Sequence, residues 1–199
     1  QSVAMNILEY AIMDAPGAPL KKALVDAGIG EDVFASFDDG IRQTIFSIVA
    51  RNANMSDKER FVSVIRDTLT DLSGHGEEGK AIDRTSIEAA INNFEFKHKE
   101  ANFGRFPKGL MMGLDAFNTW LYDDASALEM FKLNEVYDEL KESLKTGYFE
   151  ELIWEKLVQN TFGMIFVMKP KKGLDKENDA AEKQKLADYK ASLTENELE

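Results

Sequence analysis

The chain contains two imidazoles, His75 and His98, and no cysteine. A zinc site built on one helix needs two rings projecting from the same face within a turn, and neither histidine has another three to five residues away. Glu95 and His98 do stand at the Glu-x-x-His spacing by which helices of di-metal carboxylate bundles turn two ligands inward. That chemistry requires a second copy, and Leu72 occupies the position three before His75. The spacing is read as coincidence, with His98 an ordinary helical histidine and His75 a loop residue between Gly74 and Gly76. No residue is assigned as a metal ligand.

Nucleophilic catalysis has no visible apparatus. Ser36, Ser47 and Ser63 have no histidine close in sequence, and no Gly-x-Ser-x-Gly elbow occurs. Gly28-Ile29-Gly30 precedes a β-rich stretch instead of following one and lacks the third glycine of a dinucleotide fingerprint. The stretch from Gly104 to Gly113 lacks the Gly-Lys-Ser/Thr ending of a phosphate-binding loop. Both are read as turn and packing glycines. The acid pairs Asp38-Asp39, Asp123-Asp124 and Glu150-Glu151 could in principle supply general acid–base chemistry, but adjacent carboxylates in loops and helix starts are read as solvated or capping groups. Phe94, Phe96, Phe103, Phe106, Phe117, Trp120 and Tyr122 are read as core, with a peptide- or partner-binding patch as the alternative. No catalytic or cofactor-binding residue is assigned.

The elements that would position these groups follow from periodicity. Val3, Ile7, Leu8 and Ala11 keep helical spacing from the first residues with no cap ahead of them, so an upstream element, a strand, is expected to belong to the same domain. Pro16 and Pro19 punctuate the next turn, and Pro19 suits the first position of a second helix that Gly28 would stop. Asp32 to Phe37 and Ile41 to Arg51 flank Asp38-Asp39-Gly40, which predicts a β-hairpin whose glycine tolerates positive φ. Ser56 and Glu59 form a capping box for a helix faced by Phe61, Val62, Ile65, Leu69 and Leu72.

Further helices are expected with Ile87, Ala90, Ile91 and Phe94 buried, from Pro107 with Leu110, Met111, Leu114, Phe117 and Leu121 buried, and over 133–144 and 149–158 around Gly147. The almost continuously apolar run 161–169, ended by Pro170, predicts a central strand. Strands near both ends of a helical middle make the fold α+β, an antiparallel sheet packed against several helices. Residues 1–174 form one domain in this reading. The charged remainder, 175–199, with Leu186, Tyr189 and Leu193 at helical spacing, is a surface or linker segment.

The totals agree with a globular body. Apolar residues make up 44% of the 199 and charged ones 30%, enough to bury a single sizeable core. The formal charge of -12 disfavours phosphate backbones and anionic lipid surfaces as partners and would favour basic peptides. Lack of cysteine points to a reducing compartment, cytoplasmic or, in a eukaryote, the mitochondrial matrix. No apolar run approaches the ~20 residues that cross a bilayer.

Long stretches of this sequence resemble a known family. ILEYAIMDAPGAPLKKALVDAGIGEDVFASFDDGIRQTIFSIVARNAN (7–54) is similar to the second domain of the presequence-protease branch of insulinase-like zinc peptidases. That branch shares a Pro-Gly-Ala-Pro-Leu turn, a helix ending Ala-Gly-Ile-Gly and a strand close to Phe-Ser-Ile-Val-Ala. The likeness continues through DKERFVSVIRDTL (57–69), AIDRTSIEAAINNFEFKHKEANFGRFPKGLMMGLDAFNTWLYDD (81–124), TGYFEELI (146–153) and MKPKKGL (168–174). LADYKASLTENELE (186–199) resembles the lead into the linker between the two halves.

The resemblance implies a peptidase of four similar domains in two halves that enclose a chamber. Its inverted motif His-x-x-Glu-His, and the zinc that motif holds, lie in the first domain. No position of this chain matches that motif, so no ligand or catalytic glutamate is carried over. What is expected is a non-catalytic domain forming part of the chamber wall. Its partners would be the other domains of the same polypeptide and, in the whole enzyme, a peptide substrate. The alternative is a stand-alone inactive module for protein interaction.

Overall fold

In a computed structural model, residues 1–77, 79–101 and 103–194 are described. They divide into two units, Gln1–Thr161 and Phe162–Glu199. The architecture is α+β, with one antiparallel sheet against a set of helices.

Helix α1 (Ser2–Glu9) runs into a π-helical turn, Tyr10–Asp14, where the Ala15 N–H reaches back to the Tyr10 carbonyl at 2.8 Å. Ala15 then turns extended, as a residue before proline does. Ala4, Ile7, Leu8, Ala11, Ile12 and Met13 are all buried, so the pattern that predicted this helix is the stripe that makes the core. Helix α2 (Pro19–Asp26) starts on Pro19 and buries Leu20 and Leu24.

Strands β1 (Asp32–Asp38) and β2 (Ile45–Arg51) pair antiparallel, with Val33 opposite Ala50, Ala35 opposite Ile48 and Phe37 opposite Phe46 on the face that meets the core. The expected hairpin forms, but β2 begins at Ile45, not Ile41, and Gly40 does not use positive φ. The connection is six residues long and is held by an Asx turn in which the Gly40 N–H donates to Asp38 Oδ1 at 3.0 Å. The glycine that geometry demands is Gly30: its φ is +70° and a Cβ there would stand 2.6 Å from the Arg51 carbonyl oxygen.

Helix α3 (Lys58–Leu72) enters through a 3₁₀ turn, Met55–Asp57. The expected capping box does not form. Ser56 lies inside that turn, and the extended residue preceding the helical path is Asn54, so the Ser56 hydroxyl is not placed to receive the Glu59 N–H. Helix α4 (Arg84–Glu100) does carry a side-chain cap, with Asp83 accepting from the Ser86 N–H at 3.0 Å and the Ser86 hydroxyl at 2.8 Å. It buries Ile87, Ala90 and Ile91 as predicted.

Helix α5 (Lys108–Trp120) departs from expectation, because none of its residues is buried and Leu110, Leu114, Phe117 and Leu121 are exposed. Helix α6 (Leu133–Ser143) buries Tyr137 and Leu140. After Gly147 at φ +77°, α7 (Tyr148–Ile153) buries Phe149, Leu152 and Ile153 and passes into a second π-helical turn, Trp154–Val158.

In the second unit, the central strand predicted over 161–169 is not formed. These residues adopt no regular secondary structure, and the sheet of the described residues consists of β1 and β2. A strand exists only through a neighbour that completes its ladder, so residue types alone do not make one. Helix α8 (Leu174–Ser192) follows Gly173 and buries no residue; Leu186 and Tyr189 are exposed. Residues 195–199 of the charged tail lie outside the described residues. Among the described residues no helix is long and apolar enough to cross a membrane.

Candidate functional site

An open cleft of about 820 Å³ lies where the C-terminal half of α4 meets α1, α5 and α6. Helix α4 supplies Phe94, Lys97 and His98, and Ala101 ends it in the left-handed conformation at φ 45°, a position glycine normally takes. Helix α5 contributes Met112 and Asp115, and α6 contributes Tyr137.

Lys97 is held over two rings, its Nζ 5.6 Å from the centroid of Tyr10 and 5.7 Å from that of Phe94, which meet edge to face at 5.8 Å. Beside it, Glu95 takes both Lys99 and Lys141 as ion-pair partners, one on each carboxylate oxygen. The hydrogen bond from Lys141, then that from Lys99, holds the Glu95 carboxyl below its ordinary range. Burial first, and the Glu95 charge second, push the Tyr137 phenol up, so it remains neutral at physiological pH.

The Glu-x-x-His spacing is thus occupied otherwise. Glu95 is spent on two lysines, while the His98 ring lies 6.0 Å from Tyr137 at 51°. His75 is fixed elsewhere: its ring stacks on Trp154 with centroids 3.9 Å apart and planes within 8°. His75 Nδ1 lies 3.1 Å from the Ser73 carbonyl and 3.2 Å from Ser73 Oγ. This Ser–His contact was missed by sequence reasoning, which weighed other serines; the signal was the two-residue separation across Gly74. It is not a catalytic dyad. Ser73 is buried and its hydroxyl donates to the Thr70 carbonyl at 2.7 Å, while a Nδ1 facing a carbonyl is the donor nitrogen and not a base.

The remaining candidates have structural partners. Ser36 and Ser47 sit opposite each other in the hairpin, and Ser63 donates to the Arg60 carbonyl. Asp39 accepts from Asn6, Asp123 from the Ala125 N–H and the Ser126 hydroxyl, and Asp124 from the Trp120 indole N–H. Glu150 and Glu151 stand in the first turn of α7, where carboxylates favour the helix dipole. Of the seven aromatics, Phe96, Phe106, Phe117, Trp120 and Tyr122 are exposed, against the core reading, and Phe94 is partly buried.

Among the described residues no three His, Cys, Asp or Glu side chains gather to hold an ion. The cleft can take an apolar side chain, with the charged ends of Lys97, Glu100 and Asp115 at hand.

The sequence also missed Glu9, whose carboxyl is pushed up to about 7, by burial first and by Asp14 second. An acid between Leu8 and Tyr10 on a helix whose neighbours are buried was the available signal.

Comparison with known proteins supplies what this geometry lacks. No family model matches the chain. Protein HypA of Clostridium perfringens is 35% identical over 198 residues, covering all of this chain and 20% of that protein. Presequence protease 1, chloroplastic/mitochondrial, of Arabidopsis thaliana is 30% identical over 201 residues, 98% of this chain and 18% of the protease. The mitochondrial presequence protease of Schizosaccharomyces pombe is 26% identical over 203 residues, all of this chain and 19% of the protease. The chain is similar to a segment of the presequence proteases, of the insulinase family. It spans about a fifth of the length of the curated relatives it matches.

Proposed function

We propose that these residues form a non-catalytic domain, the second of four, of a zinc-dependent peptidase that degrades peptides within an enclosed chamber. In this reading the domain builds part of the wall and supports a catalytic domain elsewhere in the polypeptide. The observation that carries it is the form of the match: it runs from one end of this chain to the other yet occupies only a fifth of each peptidase. The site chemistry is compatible. The two histidines contact Trp154 and Ser73 and the side of Tyr137, and the cleft is, among the described residues, largely apolar in its lining.

The test uses the full-length polypeptide and a fluorogenic peptide. His75→Ala and His98→Ala are expected to leave kcat within about twofold of the parent and zinc content unchanged, since removing a true catalytic acid or base lowers kcat by about 10²–10⁴-fold. Loss of cleavage in either variant, with folding and zinc retained, would place chemistry in this chain and end the proposal. Absence of any peptide cleavage by the full-length polypeptide would favour an inactive interaction module instead.

A further inference from the structure

The cleft at the end of α4 combines an apolar lining with a particular set of charges. All of its lining residues belong to the first unit. Its volume of about 820 Å³ falls within the range of about 300–1,000 Å³ in which proteins enclose small ligands. Phe94, Phe96, Phe103, Met112, Phe131 and Leu133 give it apolar surface from α4, α5, α6 and the turns between them.

The charged groups decide which ligand suits that surface. Glu95 is satisfied by Lys99 and Lys141, but Glu100 and Asp115, which line the cleft, have no ion-pair or hydrogen-bond partner among the described residues. The opposing cation is Lys97, whose ammonium already sits over the faces of Tyr10 and Phe94. Helix α4 ends at the same place, so the negative end of its dipole adds to the two carboxylates. A ligand that sets a cation beside an apolar body matches both features. Anionic ligands and nucleic acid would meet these carboxylates on a chain of net charge -12, and a second copy would bring the same charge with it.

We propose that this cleft binds a peptide segment in which a large apolar side chain stands next to a lysine or arginine. The apolar side chain enters between Phe94, Phe96 and Met112, and the cation meets Glu100 and Asp115. This rests on the reading of the chain as part of a peptidase wall and deepens it by naming the kind of segment the wall holds. Recognition is by packing and charge, with no bond made or broken.

Fluorescence anisotropy of labelled hexapeptides on the full-length polypeptide tests it, with a metal chelator present so that no probe is consumed. A peptide carrying a leucine–arginine pair in a glycine–serine background is expected to bind about tenfold more tightly than its leucine–glutamate or serine–arginine versions. Asp115→Asn combined with Glu100→Gln should weaken the leucine–arginine peptide about three- to tenfold and flatten its dependence on salt. Phe96→Ser should weaken it about tenfold and leave circular dichroism unchanged, since that ring is exposed. Equal affinity for the three peptides, or unchanged affinity in both variants, overturns the proposal. So does tighter binding of the leucine–glutamate peptide, which would make Lys97 the recognising charge. A photoreactive phenylalanine analogue in place of Phe96 identifies the occupant. Crosslinks to the leucine–arginine peptide are expected; crosslinks to the rest of the polypeptide in the absence of peptide would show the cleft already filled and end the idea. Turnover of a fluorogenic peptide is read in parallel without chelator. Peptide binding that the variants weaken, with no cleavage, removes the proposed function and leaves the cleft, and cleavage with binding that the variants do not change does the reverse.

Discussion

Helices α4 and α5 are consecutive, and both carry apolar residues at helical spacing, yet their environments are opposite. In α4 the stripe Ile87, Ala90 and Ile91 is sealed beneath α1 and α6; in α5 the stripe Leu110, Leu114, Phe117 and Leu121 faces outward. Periodicity states that a helix has an apolar face, and only the set of available neighbours decides whether that face is covered. The run 161–169 is parallel for a strand: its residue types predict one, and no regular structure forms there.

The contrast gives the largest expected effect. Ile91→Ala empties a site that is fully buried and should cost about 2–5 kcal/mol in urea denaturation of this chain. Leu114→Ala, on a half-exposed side chain, should stay within about 0.5 kcal/mol. Equal losses would mean that α5 is packed in solution and would dissolve the comparison.

The next effect concerns a charge pressed against the buried region. The Glu9 carboxyl stands at about 7 in the folded chain against 4.5 for the free side chain. Between those values the folded chain holds a proton that the unfolded chain has released, so stability falls as pH rises through that window. Glu9→Gln should therefore stabilise by about 1 kcal/mol at pH 8, after discount for the part of the side chain that water still screens, and should change nothing at pH 4. A gain of the same size at both pH values would show that packing, not ionisation, is responsible.

Exposed apolar surface should also be visible to a dye. Leu114→Ser combined with Phe117→Ser is expected to lower the fluorescence of an environment-sensitive naphthalene sulfonate by about half, while leaving far-UV circular dichroism unchanged. Unaltered fluorescence would indicate that the α5 face is already covered. The smallest effect belongs to the α4 cap. Hydrogen bonds from the Ser86 hydroxyl and then its N–H hold Asp83 below its ordinary range, so its contribution is present above the free Asp value of 3.8 and is lost as pH falls through the lower folded value. Asp83→Ala should lower the melting temperature slightly at pH 7 and not at all near pH 2; an equal drop at both would assign the loss to helix propensity.

Much of the local structure was legible from residue types. Val3, Ile7, Leu8 and Ala11 gave α1 away, Pro19 marked the start of α2, Asp32 to Arg51 announced the hairpin and Gly147 separated α6 from α7. The failures share a cause. The Ser56–Glu59 box needs an extended backbone at Ser56, which the 3₁₀ entry to α3 removes, and the hairpin loop lengthened because Asp38 chose an Asx turn over a tight one. Both are competitions between near-equal local geometries that packing settles. Glu9 escaped notice because burial depends on neighbours remote in sequence, which a spacing rule does not report, whereas the contact of Ser73 with His75 is local and was open to a spacing rule that looked at this serine.

By itself the sequence determined that this chain is α+β and that no cysteine chemistry or paired-histidine helix is available to it, because composition and short-range spacing are complete statements about covalent order. Tertiary structure alone decided that His75 stacks on Trp154, that Glu95 serves two lysines, and that Leu110, Leu114 and Phe117 of α5 stay exposed. The physical reason is that burial and ion pairing arise between residues that the chain brings together only by folding, and the free energy of an apolar face depends on what is there to meet it.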